Sequence, residues 1–253
     1  QLARVSLFHA VEGHDSHKIG TCLAGNHDDP DKDIGMDEIE RVGILGKGSF
    51  GLVTMVHHEP TDRYMALKAM VKEDLVETGQ VENILEERNS CYLCRHDFIV
   101  RLHNTMQDQD QIYMLMELSR GGELWTLLYR KRNAIPRAGS GGWYPRTARF
   151  YLAGVVTAFQ HVHDDISYCF RDLKPENVLL HDDGFPKLAD FGFAKPIPYR
   201  NARTGALEHV TYTMCGTPDY LAPEIIKNSG HGKGVDYWAL GVLVREEYRS
   251  APP

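Results

Sequence analysis

The sequence predicts an α+β fold, with a strand-rich N-terminal part followed by a helical C-terminal part. Two observations predict it. Short apolar and β-branched runs, broken by turn residues, recur between residues 40 and 117. Beyond them the apolar stretches read as helical, as in Asp236-Tyr237-Trp238-Ala239-Leu240-Gly241. At 253 residues, of which 25% are charged, the chain is long enough for one large or two small cores.

Residues 1–37 are rich in Asp, Gly and His without periodicity, and Asp28-Asp29-Pro30-Asp31-Lys32-Asp33 reads as a solvated linker or the remnant of an upstream region. The apolar stretch near Phe8 is too short for a secretory signal and lacks a cleavage pattern. Strands are expected near 40–47, 50–57, 63–69, 98–104 and 112–117. A helix is expected near 79–93, where Val81, Ile84 and Leu85 share mixed helical spacing with Glu82, Glu86 and Glu87. Leu45-Gly46-Lys47-Gly48-Ser49-Phe50-Gly51-Leu52-Val53 reads as strand, glycine-rich turn, strand. Glycines let backbone amides approach anionic phosphates where a Cβ would collide. The same spacing marks dinucleotide-binding turns, but there a helix follows the last glycine, and Leu52-Val53-Thr54-Met55-Val56 predicts a strand.

Tyr64-Met65-Ala66-Leu67-Lys68 is a short apolar strand ending in a lysine, which in isolation reads as a surface residue. Phe170-Arg171-Asp172-Leu173-Lys174-Pro175-Glu176-Asn177 sets a carboxylate, an ammonium and a carboxamide within six consecutive positions. Such a set can orient a hydroxyl, hold a transferring phosphate and bind a divalent metal. Pro186-Lys187-Leu188-Ala189-Asp190-Phe191-Gly192 places a second carboxylate just after a strand, although Asp-x-Gly alone is usually a turn. Ala222-Pro223-Glu224 follows.

A net charge of −7 argues against nucleic acid as the main partner. No apolar run approaches the ~18 residues needed to cross a bilayer. Five cysteines, at 22, 91, 94, 169 and 215, do not suggest a disulfide framework, and the expected setting is the reducing cytoplasm. Cys91-x-x-Cys94 with His96 nearby has the makings of half a metal site. No second Cys/His pair at finger spacing follows, so ordinary thiols are the simpler reading.

Taken in order, the glycine loop, strand lysine, catalytic loop, Asp-Phe-Gly and Ala-Pro-Glu resemble the protein kinase signature over roughly residues 38–246. The resemblance implies a bilobal kinase fold, with a smaller lobe at about 38–117 and a larger one at about 118–253. It implies transfer of the ATP γ-phosphate, with ATP and Mg²⁺ as cofactors, to Ser/Thr hydroxyls of protein substrates. By resemblance, Leu45, Gly46, Lys47, Gly48, Ser49, Phe50 and Gly51 cover the phosphates. Glu87 pairs with Lys68 to hold it on the α- and β-phosphates, while Glu86, about 100° away on the helix, faces elsewhere. Met114-Leu115-Met116-Glu117-Leu118 is similar to the hinge, with Met116 as gatekeeper. Val53, Ala66 and Leu179 sandwich the purine, though each is equally explicable as core.

In the same reading Asp172 orients the substrate hydroxyl, Lys174 stabilises charge on the γ-phosphate, and Asn177 with Asp190 holds the metal. Thr217 bridges Asp172 and Lys174. Lys174-x-x-Asn177 reads as serine/threonine specificity. Phe170, where histidine is usual, resembles the branch of the cyclic-nucleotide-dependent kinases and would pack under Phe191, with Leu102 and Cys91 continuing the column. Gly43–Gly51 and Val76–Gln80 are especially similar to cyclic-GMP-dependent kinases. Such kinases imply an upstream cyclic-nucleotide-binding region that is not present in this chain. Thr213 occupies that branch's activating phosphosite, with Arg171 and Lys195 as cationic partners. Glu123, Glu176 and Glu246 match acids that recognise arginines upstream of the phosphoacceptor, so substrates with nearby basic residues are expected.

Three departures from the pattern stand out. Asn133–Trp143 is a Gly/Pro-containing insertion that reads as a surface loop. Tyr199–His209 lengthens the activation segment. The chain stops at Pro253, where the family continues for several helices, so the larger lobe reads as truncated and Glu224 is expected to lack its arginine. The alternative to an active kinase region is therefore a non-catalytic fragment or a pseudokinase-like nucleotide-binding regulator. All the catalytic side chains are present, which counts against the latter.

Overall fold

The computed structural model describes residues 34–48, 51–130, 142–200 and 207–249. Ser49 and Phe50, residues 1–33 and most of the expected insertion lie outside the described residues. The chain divides into two compact units. The first runs to Tyr92 and includes Arg101–Leu118; the second holds Leu93–Val100 and continues from Ser119.

Five strands build the first unit: β1 (Ile39–Gly48), β2 (Gly51–His58), β3 (Arg63–Val71), β4 (Leu102–Gln107) and β5 (Gln111–Glu117). They form one antiparallel sheet in the order β1-β2-β3-β5-β4. Side chains alternate across a strand, so register decides which residues share a face. Val56 opposes Met65, and Leu67 opposes Leu115, and these four join Ile34 and Tyr113 in a buried cluster on one face. The other face carries Val53 opposite Lys68, and Ala66 opposite both Met55 and Met116. At Gly51 the chain passes so close to β3 that an added Cβ would lie 2.0 Å from the Ala69 carbonyl oxygen.

Two helices join this sheet: α1 (Lys72–Glu77) and α2 (Val81–Leu93). The sequence reading missed α1, a six-residue helix with Glu73 and Asp74 in its first turn and Leu75 buried. Acidic residues there complement the helix dipole, a signal too short for periodicity to reveal. The expected strand at 98–104 is corrected. Residues 102–107 pair with β5, but Phe98 O and Val100 N bond Leu188 instead, at 2.8 and 2.9 Å, which ties the preceding segment to the second unit.

The second unit begins with β6 (Gly122–Glu123) and α3 (Pro145–Gln160), which widens into one π-type turn over His161–Asp165. Ala148, Tyr151, Val155, Ala158 and Phe159 are buried on one stripe of α3, the spacing of a core-facing helix. β7 (Tyr168–Cys169), β8 (Val178–Leu180), β9 (Pro186–Leu188) and β10 (Lys195–Pro196) follow; β6-β8-β9 form one small sheet and β7-β10 another. Tyr199–Arg200 and Leu207–Glu208 pair as β11 and β12. α4 (Pro223–Ile226) and α5 (Gly234–Arg249) complete the unit, with Val235, Ala239 and Leu243 buried along α5. Trp143, read from sequence as part of a surface loop, is only 1% exposed and packs on Tyr151 with ring centroids 5.1 Å apart. Burial of the indole outweighs the Gly/Pro character of the residues before it.

Candidate active site

In the first unit, the β3–β5 register sets Lys68 on the sheet face opposite the buried cluster. Its Nζ donates to Glu87 Oε1 at 2.6 Å, and the two side chains are 6% and 2% exposed. Helix phase explains the choice of partner. Ile84, Glu87, Ser90 and Cys91, spaced three or four apart along one stripe, are the buried positions of α2, while Glu86 is turned partly outward. A lysine is rarely buried unless paired, and removing either partner strands a buried charge. Val53, Ala66 and Met116 share the face of Lys68. A Cβ at Gly46 would meet nothing within 4 Å, so β1 leaves open space at the first glycine of the loop. Glu117 at the end of β5 accepts Arg101 N–H through its carboxylate at 3.2 Å.

In the second unit, the loop between β7 and β8 gathers the expected catalytic residues around Asp172, which is 3% exposed. Lys174 Nζ donates to Asp172 Oδ2 at 2.8 Å and to Thr217 Oγ1 at 3.1 Å. Thr217 Oγ1 donates to Asp172 Oδ1 at 2.8 Å. Asn177 Nδ2 donates to both the carbonyl and the Oδ2 of Asp172, at 2.8 and 2.9 Å. The loop reaches this shape through strained backbone at Arg171, φ 68°, and Asp190, just after β9, is likewise at φ 61°. Non-glycine residues at positive φ persist only where their surroundings hold them. Gly216 closes the arrangement: at φ 105°, a Cβ there would sit 2.8 Å from the Arg171 carbonyl oxygen.

Asp236 supplies that hold, and the sequence reading gave it no role. It is fully buried in α5 and accepts the backbone N–H of Phe170 at 2.9 Å and of Arg171 at 2.7 Å. His163 Nε2 lies 2.7 Å from the same carboxylate. A carboxylate inside an otherwise apolar helical run was the available signal, because such a group is buried only when its oxygens are satisfied. Phe170 packs edge-on against Phe191 at 5.1 Å.

The nitrogen of Asn177 donates to Asp172, which leaves its carboxamide oxygen available as a donor atom. Asp190 Oδ1 accepts Gly192 N–H at 3.2 Å. A carboxylate and a carboxamide oxygen are hard donors of the kind a magnesium ion takes beside phosphate oxygens and water, so these residues fit that metal. Leu179, on β8, is half buried. Thr213 is exposed; its hydroxyl lies 3.4 Å from that of Thr211, which in turn accepts from Lys195 Nζ at 3.1 Å.

The three expected substrate acids differ. Glu123 and Glu176 are exposed, and burial of its carboxyl together with the Glu176 charge raises the Glu123 pKa. Glu246 is 2% exposed; burial raises its pKa, the hydroxyls of Tyr220 and Tyr129 act the other way, and Glu176 and Asp219 raise it further. Its neighbour Glu247 is fully buried, and burial followed by the Glu246 charge pushes it up to about 9. No disulfide joins the described cysteines, and burial alone pushes Cys94 up to about 12. Among the described residues no cluster of three or more His, Cys, Asp and Glu is arranged to hold a metal. No described helix is long and apolar enough to cross a membrane.

The chain is 41% identical over 223 residues to cGMP-dependent protein kinase, isozyme 1, of Drosophila melanogaster, which covers 87% of this chain and 27% of that protein. It is 43% identical over 223 residues to cGMP-dependent protein kinase, isozyme 2 forms cD5/T2, of the same organism, covering 88% and 22%. With cAMP-dependent protein kinase type 3 of Saccharomyces cerevisiae it shares 38% identity over 247 residues, covering 93% and 57%. The chain thus spans about a quarter of the length of the fly proteins and somewhat over half of the yeast one. The protein kinase domain family matches residues 39–253, a span that takes in the Lys68–Glu87 pair and the whole Asp172 cluster; the chain belongs to that family.

Proposed function

We propose that this chain is the catalytic region of a serine/threonine protein kinase of the cyclic-GMP-dependent type. The Asp172 cluster carries the proposal. Its carboxylate is fixed by Lys174, Asn177 and Thr217, within reach of an incoming hydroxyl and beside a lysine that would meet the transferring phosphate. In such transfers the protein supplies mainly position and charge, so a pre-formed cluster is the larger part of the chemistry.

Asp172 would accept or orient the hydroxyl proton of the substrate. Lys174, already within 3.1 Å of Thr217, would stabilise the developing charge on the γ-phosphate. Lys68, held by Glu87, would bind the α- and β-phosphates of ATP, with Val53 and Ala66 against the purine and Met116 as gatekeeper. Asn177 and Asp190 would hold Mg²⁺. When bound, that ion would neutralise phosphate charge. Glu123 and Glu176 are the exposed acids, and they favour substrates with basic residues near the phosphoacceptor. Thr213 is proposed as an activating phosphosite, with Lys195 one hydroxyl away.

The test is phosphotransfer from ATP to serine peptides with and without upstream arginine, run in magnesium. Transfer favouring the arginine peptides is expected. Nucleotide binding without transfer to any peptide would remove the catalytic reading. Transfer without arginine preference would remove only the roles of Glu123 and Glu176.

A further inference from the structure

His96 follows the Cys91-x-x-Cys94 pair, and no step above uses it. Its ring stacks on that of His161, with centroids 5.3 Å apart and planes 23° from parallel. His96 is held in a neutral form by its backbone partner. His96 Nδ1 accepts Phe98 N–H at 3.2 Å, so that nitrogen carries a lone pair and no proton. His161 Nδ1 lies 2.8 Å from Asp165 Oδ2, which fixes its hydrogen there. Its Nε2 is buried with no hydrogen-bond partner among the described residues.

We propose that His96 and His161 form a proton-sensitive clasp that keeps residues 96–100 docked on β9 at neutral pH and releases them in mild acid. Protonating His96 puts a hydrogen where Phe98 N–H must donate. A charged His96 would also lie face to face with the His161 ring. The docked segment is anchored by Ile99 N–H to His96 O at 3.0 Å, Leu188 N–H to Phe98 O at 2.8 Å and Val100 N–H to Leu188 O at 2.9 Å. Leu188 ends β9, and the next residue, Ala189, donates to Asn177 O at 2.9 Å. Release would therefore loosen the approach to Asp190.

The charged groups facing His96 are known on each side. Burial lowers its pKa first and the His161 charge second; Lys187 on β9 acts the same way, while Asp97 and Asp165 oppose them. A histidine whose folded pKa is depressed adds stability that is present above its unfolded value, about 6.5, and is lost as pH falls through the folded value.

The test is hydrogen exchange of the Phe98 and Val100 amides in the full chain at pH 7.5 and 5.0, corrected for intrinsic rates, alongside histidine NMR titration. No catalysis is needed. Protection of both amides is expected to fall several-fold between the two pH values. His96→Asn, which keeps an acceptor and cannot charge, should make that protection independent of pH. Unchanged wild-type protection at pH 5.0 would overturn the clasp, as would an equal loss in His96→Asn. If that variant folds poorly by circular dichroism, His161→Asn decides: it should raise the His96 pKa, and an unmoved value overturns the proposal.

Discussion

The two units each bury a carboxylate beside a lysine, but they secure it differently. Glu87 meets Lys68 across 19 residues, from a helix to a strand, so the pair exists only where α2 packs on the sheet in the right phase. Asp172 meets Lys174 and Asn177 within five residues, and the loop that carries all three is pinned by Asp236. The first arrangement depends on how two elements pack; the second is largely closed within one loop. The comparison teaches that charge placement is robust where hydrogen bonds over-determine it and conditional where it rides on helix register.

Asp172→Asn should produce the largest effect. The fold and the loop remain, and phosphotransfer is expected to drop by about 10²–10⁴-fold, the usual share of a positioned acid–base group. Peptide kinetics with a thermal melt would show it; loss of the fold instead would mean that the loop is less self-supporting than its bonds suggest. Lys68→Met should act the opposite way, on stability as well as activity. Stranding Glu87 is expected to cost about 3–5 kcal/mol in the first unit, with the second unit less affected. Denaturant unfolding followed by hydrogen exchange would separate the two, and equal destabilisation of both would break the contrast.

Thr217→Ala removes one of the donors to Asp172 and should cost about 1–3 kcal/mol of transition-state or native stability. A change in kcat with KM unmoved is the expected pattern. Glu247→Gln should have the smallest effect on activity but a distinct pH signature. Glu247 has a raised folded pKa, so the folded state binds more protons than the unfolded one. Stability should decline as pH rises from about 4.5 to about 9. The variant is expected to flatten that slope in chemical unfolding curves at several pH values.

Much of the site could be read from residue order because its chemistry is local. Asp172, Lys174 and Asn177 lie within one short loop, and the glycine loop names its own turn. The expected five strands are all present, four of them close to the expected bounds. Reading failed where long-range packing decides. Residues 98–100 are apolar and β-branched like a strand of the first sheet, yet their backbone bonds to Leu188 instead. Trp143 sits among turn residues and is buried. Glu246 looks like a surface acid beside Glu123 and Glu176, and the structure covers it with Tyr129 and Tyr220 nearby.

By itself, then, the sequence determined the family, the places of the strands along the chain and the candidate reacting groups, because these follow from residue type and short spacing. Only the tertiary structure decided that Asp236 holds the Phe170–Arg171 loop from 65 residues away and that two histidine rings stack beside β9. Each of those is a meeting of elements distant in sequence, where helix phase, sheet register and burial choose among side chains that look alike on paper.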